Sequence, residues 1–242
     1  MKHLIIIFLF FSLDIYADEK LFLKANNYYN LEQYDDAIIL YDSLIIQGFE
    51  HHKIYLNIGN CFYQKKDWKN AIWNYEKSLK IKKSQIAKEN LSIAKLNIID
   101  KVEPIPLLFY KRWWENIYSY LTTLNWQIFC LLSIWILVIL KIINQFFNFN
   151  FSKLIQNFLL FVSLILFLIS YSSLKNSFLN NEGIIFKSAV EVYSAPTDQS
   201  TDLFTLHSGT KIKVLDQING WVNIRIANGE TGWIKLDSYK KL

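Results

Sequence analysis

The stretch LTTLNWQIFCLLSIWILVILKII, residues 121–143, is followed ten residues later by LIQNFLLFVSLILFLISYSSL, residues 154–174. Each stretch is mostly apolar. Each is long enough, at about 1.5 Å per helical residue, to cross the roughly 30 Å hydrocarbon core of a bilayer. Because the intervening segment is short, the two stretches predict a transmembrane hairpin. Two crossings put the parts before and after the hairpin on the same side of the membrane.

The N-terminus and the hairpin loop predict which side that is. A charged start, an apolar run and Ala17 at its exit are typical of a secretory signal peptide, which we expect over residues 1–17. Lys141 and Lys153 flank the loop of residues 144–153, which has no acidic residue and is therefore expected in the cytoplasm. We expect a protein of the cell inner membrane with two spans and with both soluble parts in the periplasm.

The charge distribution argues against a nucleic-acid partner. The net charge is +5, but residues 18–104 hold thirteen Lys/Arg against twelve Asp/Glu, and residues 183–242 hold seven against six. Each soluble part is therefore nearly neutral, unlike a phosphate-binding surface. Cys61 and Cys130 lie at different depths, which excludes a disulfide between them. No metal-ligand spacing is present, so we expect no metal and no cofactor.

The first soluble part, residues 18–103, repeats itself after 34 residues, with 18–51 matching 52–85. Small residues recur at Ala25 and Gly59 and at Ala37 and Ala71, and aromatic residues recur between them. This period and these residue types resemble the tetratricopeptide repeat, a pair of antiparallel helices. A third helix, over residues 84–102, is expected to cap the second repeat.

The resemblance implies a peptide-binding groove along the first helix of each repeat. Asparagine can hydrogen-bond an extended peptide backbone, and the aromatic rings supply apolar area. The alternative is that these asparagines simply solvate an exposed face. Lysines that would complete a carboxylate clamp are missing from the matching positions of the first repeat. The candidate groove residues are Asn26, Tyr29, Asn30, Asn60, Tyr63 and Gln64.

The last part, residues 183–242, changes to short alternating strands. Asn219-Gly220 and Asn228-Gly229 are typical hairpin turns, and about five strands are expected. The ending Gly229-Glu-Thr-Gly-Trp233 resembles that of the bacterial Src-homology-3 (SH3) domain, a small barrel that binds peptides or cell-wall polymers. Tyr193, Trp221 and Trp233 are its candidate ligand surface. The alternative is that at least two of these three rings belong to the core.

The junction of residues 104–120 joins the repeats to the first span. Its prolines end the preceding helix. Aromatic and basic side chains together suit the lipid headgroup layer, which predicts an interfacial segment. The candidate membrane-interface residues are Lys111, Arg112, Trp113 and Trp114.

The sequence thus predicts a multi-domain membrane protein: α-helical tetratricopeptide repeats, a two-helix transmembrane hairpin and an all-β SH3-like barrel. This order resembles the BatE family, the E components of the Bacteroides aerotolerance (Bat) system. The resemblance implies a non-catalytic scaffold. Its partners would be other membrane proteins, namely the von Willebrand factor A-type Bat components and a system linked to a MoxR-type ATPase.

Two other classes of function stay open. One is a sensor whose barrel binds the cell-wall polymer peptidoglycan. The other is an enzyme, which needs a nucleophile beside a base. His207 has no acidic or cysteine neighbour in sequence, and Cys61 falls at a helix-packing position. An enzyme is therefore not predicted.

Overall fold

The computed structural model of the chain describes residues 19–146, 152–179 and 181–242. The predicted signal peptide and the middle of the hairpin loop lie outside these residues. The chain divides into two compact units. The first joins the described part of Met1–Pro104 to Asn181–Leu242, and the second is Ile105–Asn180.

Residues 19–104 form five helices: α1 (residues 19–30), α2 (Tyr34–Ile46), α3 (His52–Gln64), α4 (Trp68–Ile81) and α5 (Gln85–Lys95). They are paired, α1 with α2 and α3 with α4, and the second helices begin 34 residues apart. The two turns share one backbone shape, because Glu32 and Lys66 both have φ of 60°. Left-handed backbone costs a non-glycine residue about 1 kcal/mol. Because this backbone conformation recurs, both helix pairs use the same tight turn.

Small residues allow the paired helices to approach closely. Ala25, Ala37 and Ala71 are fully buried. At Gly59, a Cβ atom would lie 2.6 Å from the ring of Tyr75, so only glycine fits beside that ring. The recurring small positions therefore make room for large aromatic side chains, as the sequence suggested.

The third helix is shorter than predicted. Helix α5 ends at Lys95 rather than near residue 102. Ile98 and Val102, which were expected on its apolar face, instead pack against hydrophobic clusters that include strand residues. Asp100 in this segment accepts hydrogen bonds from His207 at the end of β3 and from Thr210 just before β4, so these residues are held against the sheet.

The C-terminal part is one antiparallel sheet of seven strands, where the sequence predicted about five. The strands are β1 (Glu182–Ile185), β2 (Ala189–Tyr193), β3 (Asp202–His207), β4 (Lys211–Ile218), β5 (Trp221–Arg225), β6 (Thr231–Lys235) and β7 (Tyr239–Lys241), in the order β3-β2-β6-β5-β4-β1-β7. Asn219 and Gly220 have φ of 47° and 82°, which confirms the predicted hairpin turn. Alternate residues such as Val192, Val222 and Ile234 fill the core.

The second unit contains α6 (Phe109–Tyr118), α7 (Thr123–Phe146) and α8 (Lys153–Leu179). Helices α7 and α8 are antiparallel, since Thr123 at the start of one lies 2.9 Å, oxygen to oxygen, from Ser173 near the end of the other. Both are long and apolar enough to cross a membrane. In the most apolar 18-residue stretch of each helix, only 6% and 11% of the residues are buried, unlike in the core helices of a soluble domain.

Candidate functional site

A hydrogen-bonded triad links the first pair of helices to α3. The Asn26 Oδ1 atom accepts from the Tyr41 hydroxyl at 2.5 Å and from the Asn57 Nδ2 atom at 2.9 Å. Tyr41 is fully buried. Burial raises the pKa of Tyr41 to about 12, so the hydroxyl stays protonated and donates. The two hydrogen bonds fix the orientation of the Asn26 side chain.

A matching triad links the second pair of helices to α5. The Asn60 Oδ1 atom accepts from the Tyr75 hydroxyl and from the Asn90 Nδ2 atom, each at 2.9 Å. Burial raises the pKa of Tyr75 as well. Within the described residues, the Nδ2 groups of Asn26 and Asn60 donate to no protein acceptor. Two amide donors, 34 residues apart in sequence, therefore stay available to a ligand.

All six predicted groove residues line two adjoining cavities of about 230 and 320 Å³, which share Tyr29 and Asn60. The ring of Tyr29 lies 5.6 Å from that of Tyr34, and the ring of Tyr63 lies 5.3 Å from that of Trp68. No charged side chain of the described residues lines either cavity. The chemistry therefore suits an uncharged polypeptide backbone with apolar side chains. That these residues bind a ligand stays a prediction.

The sequence analysis did not single out Asn57 and Asn90, which complete the triads. They lie 31 and 30 residues after their partners, so neither falls on the 34-residue period. Each lies two helices after its partner, Asn57 on α3 and Asn90 on α5, so a search for asparagines at that separation would have found them.

The three predicted rings of the SH3-like part lie on the outer face of the sheet. Along β5 and β6, Val222, Ile224 and Ile234 point inward and are fully buried, whereas Trp221 and Trp233 are half-buried. Tyr193 lies edge-on to Trp221, with ring centroids 5.4 Å apart. None of the three rings is among the buried residues of the core cluster of the sheet. Their role in ligand binding stays a prediction.

Charged side chains surround these rings. The Lys235 ammonium lies 5.6 Å from the Trp221 ring centroid and 2.7 Å from an Asp198 oxygen. The Tyr193 hydroxyl donates to Glu191, and this bond raises the pKa of Tyr193 to about 12. The outer face is thus aromatic with both signs of charge at its rim, a surface suited to sugars or peptides.

A contact between the helical region and the sheet is central to the first unit. Glu76 on α4 is buried and accepts from Lys95 at 2.9 Å and from Lys211 on β4 at 2.8 Å. Lys211 also reaches Glu182 at 3.0 Å. Burial opposes ionisation of Glu76, but the two ammonium groups outweigh it and lower its pKa.

Apolar contacts extend the same interface. Ile184 on β1 is fully buried in a cluster with Ile72 and Tyr75 of α4. The Trp73 indole nitrogen donates to the carbonyl of Lys241 at 3.0 Å, and the Lys240 ammonium lies 3.7 Å from the Trp73 ring centroid. Strands β1 and β7 therefore belong as much to the helical core as to the sheet.

Asp100 is a second ionic link between the two parts. Its carboxylate accepts from the His207 backbone N–H and from the Thr210 hydroxyl, both at 2.6 Å, and contacts the His207 ring. Burial would raise the pKa of Asp100, but these hydrogen bonds outweigh it and lower the pKa. The sequence could not show this pair, since the two residues are 107 positions apart.

These two carboxylates predict acid sensitivity of the first unit. Both folded-state pKa values are below the ordinary values of 4.5 for Glu76 and 3.8 for Asp100. Their stabilisation is complete above those values and is lost as the pH falls through the lower, folded-state pKa values. We expect the unfolding free energy to fall steeply below about pH 4 in urea titrations of the full chain. An Asp100→Asn variant should show a shallower fall, and identical slopes would contradict the prediction.

The predicted interfacial residues lie on α6 in the second unit. Lys111, Arg112 and Trp113 are exposed, whereas Trp114 donates from its indole nitrogen to Ser172 on α8 at 3.1 Å. Trp114 is therefore partly a packing residue. The exposed basic and aromatic side chains remain candidates for contact with lipid headgroups.

Cys61, the cysteine considered as a nucleophile, lies buried in α3. Burial raises the pKa of Cys61 to about 12, so its thiol is protonated at neutral pH. No group of three metal-ligating side chains occurs within residues 19–146, 152–179 and 181–242.

Comparison with known families gives one match. Residues 188–239 match the bacterial SH3 domain. The C-terminal sheet is therefore of the bacterial SH3 type, and β1, which packs on the helices, lies outside the matched residues. In a comparison with curated proteins, none matches the chain.

Proposed function

We propose that the protein is a non-catalytic scaffold anchored in the inner membrane, with a peptide-binding helical region and an SH3 domain on the periplasmic side. In this proposal the paired helices are tetratricopeptide repeats. The protein acts within a Bat-type aerotolerance or envelope-stress complex, with von Willebrand factor A-type and MoxR-linked partners. The observation that carries the proposal is the pair of triads holding Asn26 and Asn60 toward one uncharged groove.

The repeated triads support peptide binding over simple solvation of an exposed face. A solvated asparagine needs no fixed rotamer, yet a buried tyrosine orients each of these two. Main-chain carbonyls of an extended segment recur every two residues on one side, and amide donors can satisfy them while neighbouring rings cover its side chains.

The packing of the first unit supports one compartment for both soluble parts. Buried contacts such as Glu76 with Lys211 join residues on either side of the two apolar helices. Such contacts can form only if both parts lie on the same side of a membrane. Reporter fusions after Glu103 and after Leu242 test this, and both should be active only where exported. Opposite activities at the two positions would contradict the hairpin.

The groove is tested with the tagged full chain, recovered from solubilised membranes. We expect Asn26→Ala combined with Asn60→Ala to lose its co-purifying membrane proteins, identified by mass spectrometry. Asn27 and Asn97, exposed on the same region but outside the cavities, supply the matched control pair. Equal recovery by both double variants would contradict peptide binding in the groove.

A second function is favoured by the outer aromatic face of the sheet. Because Tyr193, Trp221 and Trp233 lie outside the buried core cluster and on the outer face of the sheet, they are available to a cell-wall polymer, as in a peptidoglycan sensor. Detergent-solubilised full chain should then sediment with purified sacculi, and Trp221→Ala should abolish this. Absence of sedimentation would leave the scaffold as the better proposal.

A further inference from the structure

A third cavity, of about 630 Å³, lies within the first unit where the segment of residues 95–104 meets strands β1, β4 and β5. Its apolar lining includes Ile98, Val102, Ile212 and Ile226. Charged side chains stand around these apolar residues. The cavity is thus amphiphilic, unlike the uncharged groove.

The charges around this cavity do not balance within the protein. Lys95 and Lys211 are neutralised by Glu76 and Glu182, and Asp100 is held by His207 and Thr210. The cavity lining contains three further cations, Lys101, Lys213 and Arg225, but one further carboxylate, that of Glu103. None of these three cations forms an ion pair within the described part of the chain.

Two of the remaining cations are direct neighbours. Lys213 on β4 stands opposite Arg225 on β5 in the antiparallel register. Residues opposite each other point to the same face, with Cβ atoms about 5 Å apart, so like charges there repel. A bound anion between them would convert this repulsion into attraction.

We propose that this cavity binds the phosphate group of an anionic lipid. Two cations with a third nearby match a phosphodiester. The apolar lining suits the adjacent glycerol and first acyl carbons, whereas free phosphate would gain nothing from it. The inference rests on the proposed membrane anchoring, because Pro104 lines the cavity only five positions before Phe109 of α6, and Glu182 lines it three positions after Leu179 of α8. Both chain connections to the second unit therefore start within a few residues of positions that line this cavity.

The test uses the purified full chain in neutral detergent, titrated with phosphatidylglycerol and monitored by native mass spectrometry. A cation near an anionic lipid contributes enough to change the affinity about 5-fold, so Lys213→Gln with Arg225→Gln should weaken binding about 30-fold. Lys101→Gln, at an exposed position, should weaken it about 5-fold without risk to the sheet. Lys53→Gln with Lys88→Gln, two exposed cations far from the cavity lining, should change nothing.

Two further ligands identify the source of the phosphate. The affinity for phosphatidylcholine should be the same in the variants as in the unchanged chain. Inorganic phosphate at equal concentration should not occupy the site. Unchanged phosphatidylglycerol binding in the Lys213/Arg225 variant would overturn the proposal, as would full occupancy by inorganic phosphate. Failure here would leave the reporter-fusion results untouched, so it is distinguishable from failure of membrane anchoring.

Discussion

Tyr75→Ala is expected to destabilise the first unit by about 3–5 kcal/mol, the cost of removing a large buried aromatic side chain. Tyr75 on α4 is 1% exposed and packs in one cluster with residues of α3 and α5. Its ring fills the space that Gly59 leaves open. Urea titration of the full chain, followed by far-ultraviolet circular dichroism, measures the loss.

Tyr75→Phe is the matched control, because it keeps the ring and removes only the hydroxyl. Its cost should be about 1 kcal/mol, that of one buried hydrogen bond. This variant also separates stability from function: Asn60 loses a fixed partner, so recovery of groove partners should drop while the fold persists. A loss under 1 kcal/mol for Tyr75→Ala would show that the ring is not the centre of this core.

Glu76→Ala is expected to loosen the contact between the helical region and the SH3 domain. Removing one partner of a fully buried ion pair costs about 3–5 kcal/mol. Here the lysine side chains are 31% and 39% exposed, so water screens the charges left behind. We therefore expect about 2–3 kcal/mol.

Hydrogen exchange locates this effect. Amides of β1 and β7 should exchange about 30- to 150-fold faster in the variant, the factor that corresponds to this free energy. Amides of α1 and α2 should be unchanged. Glu89→Ala, which removes an exposed carboxylate from α5, is the control and should alter no segment. Uniform acceleration over the whole first unit would contradict a local loosening.

Much of this architecture could be predicted because it follows from local periodicity. The apolar stretches gave α7 and α8, and the recurring small and aromatic residues indicated the paired helices. Asn219-Gly220 marked its hairpin turn. In each case neighbours in sequence carry the information, since helix pairs, spans and tight turns depend on residues within about 30 positions.

The contact between the two soluble parts could not be predicted in the same way. It depends on pairs such as Asp100 with His207 and Glu76 with Lys211, which are more than 100 positions apart. The sequence analysis treated residues 18–103 and 183–242 as separate modules, and it continued α5 through a segment that the sheet holds. The sequence also did not indicate that Ile184 is buried among helical residues, because those residues are distant from it in sequence.

The sequence indicated that the six candidate groove residues lie together more directly than it indicated where the three aromatic rings of the sheet lie. The six groove residues recur with the helices, so the repeat placed them together around the cavities. The positions of Tyr193 and Trp221 depend instead on which face of each strand turns inward. A one-residue change of register would reverse that choice, and turn residues alone do not fix it.

The first unit combines two parts of the chain that the ribosome synthesises at different times. Strands β1 and β7 cover Ile72 and Trp73 of α4, but the ribosome makes them only after residues 105–180. At about 5–20 residues per second, the helices wait roughly 10–30 s for the chain end. During synthesis that apolar surface is open, so a nascent chain stalled between α7 and α8 should be a substrate for chaperones.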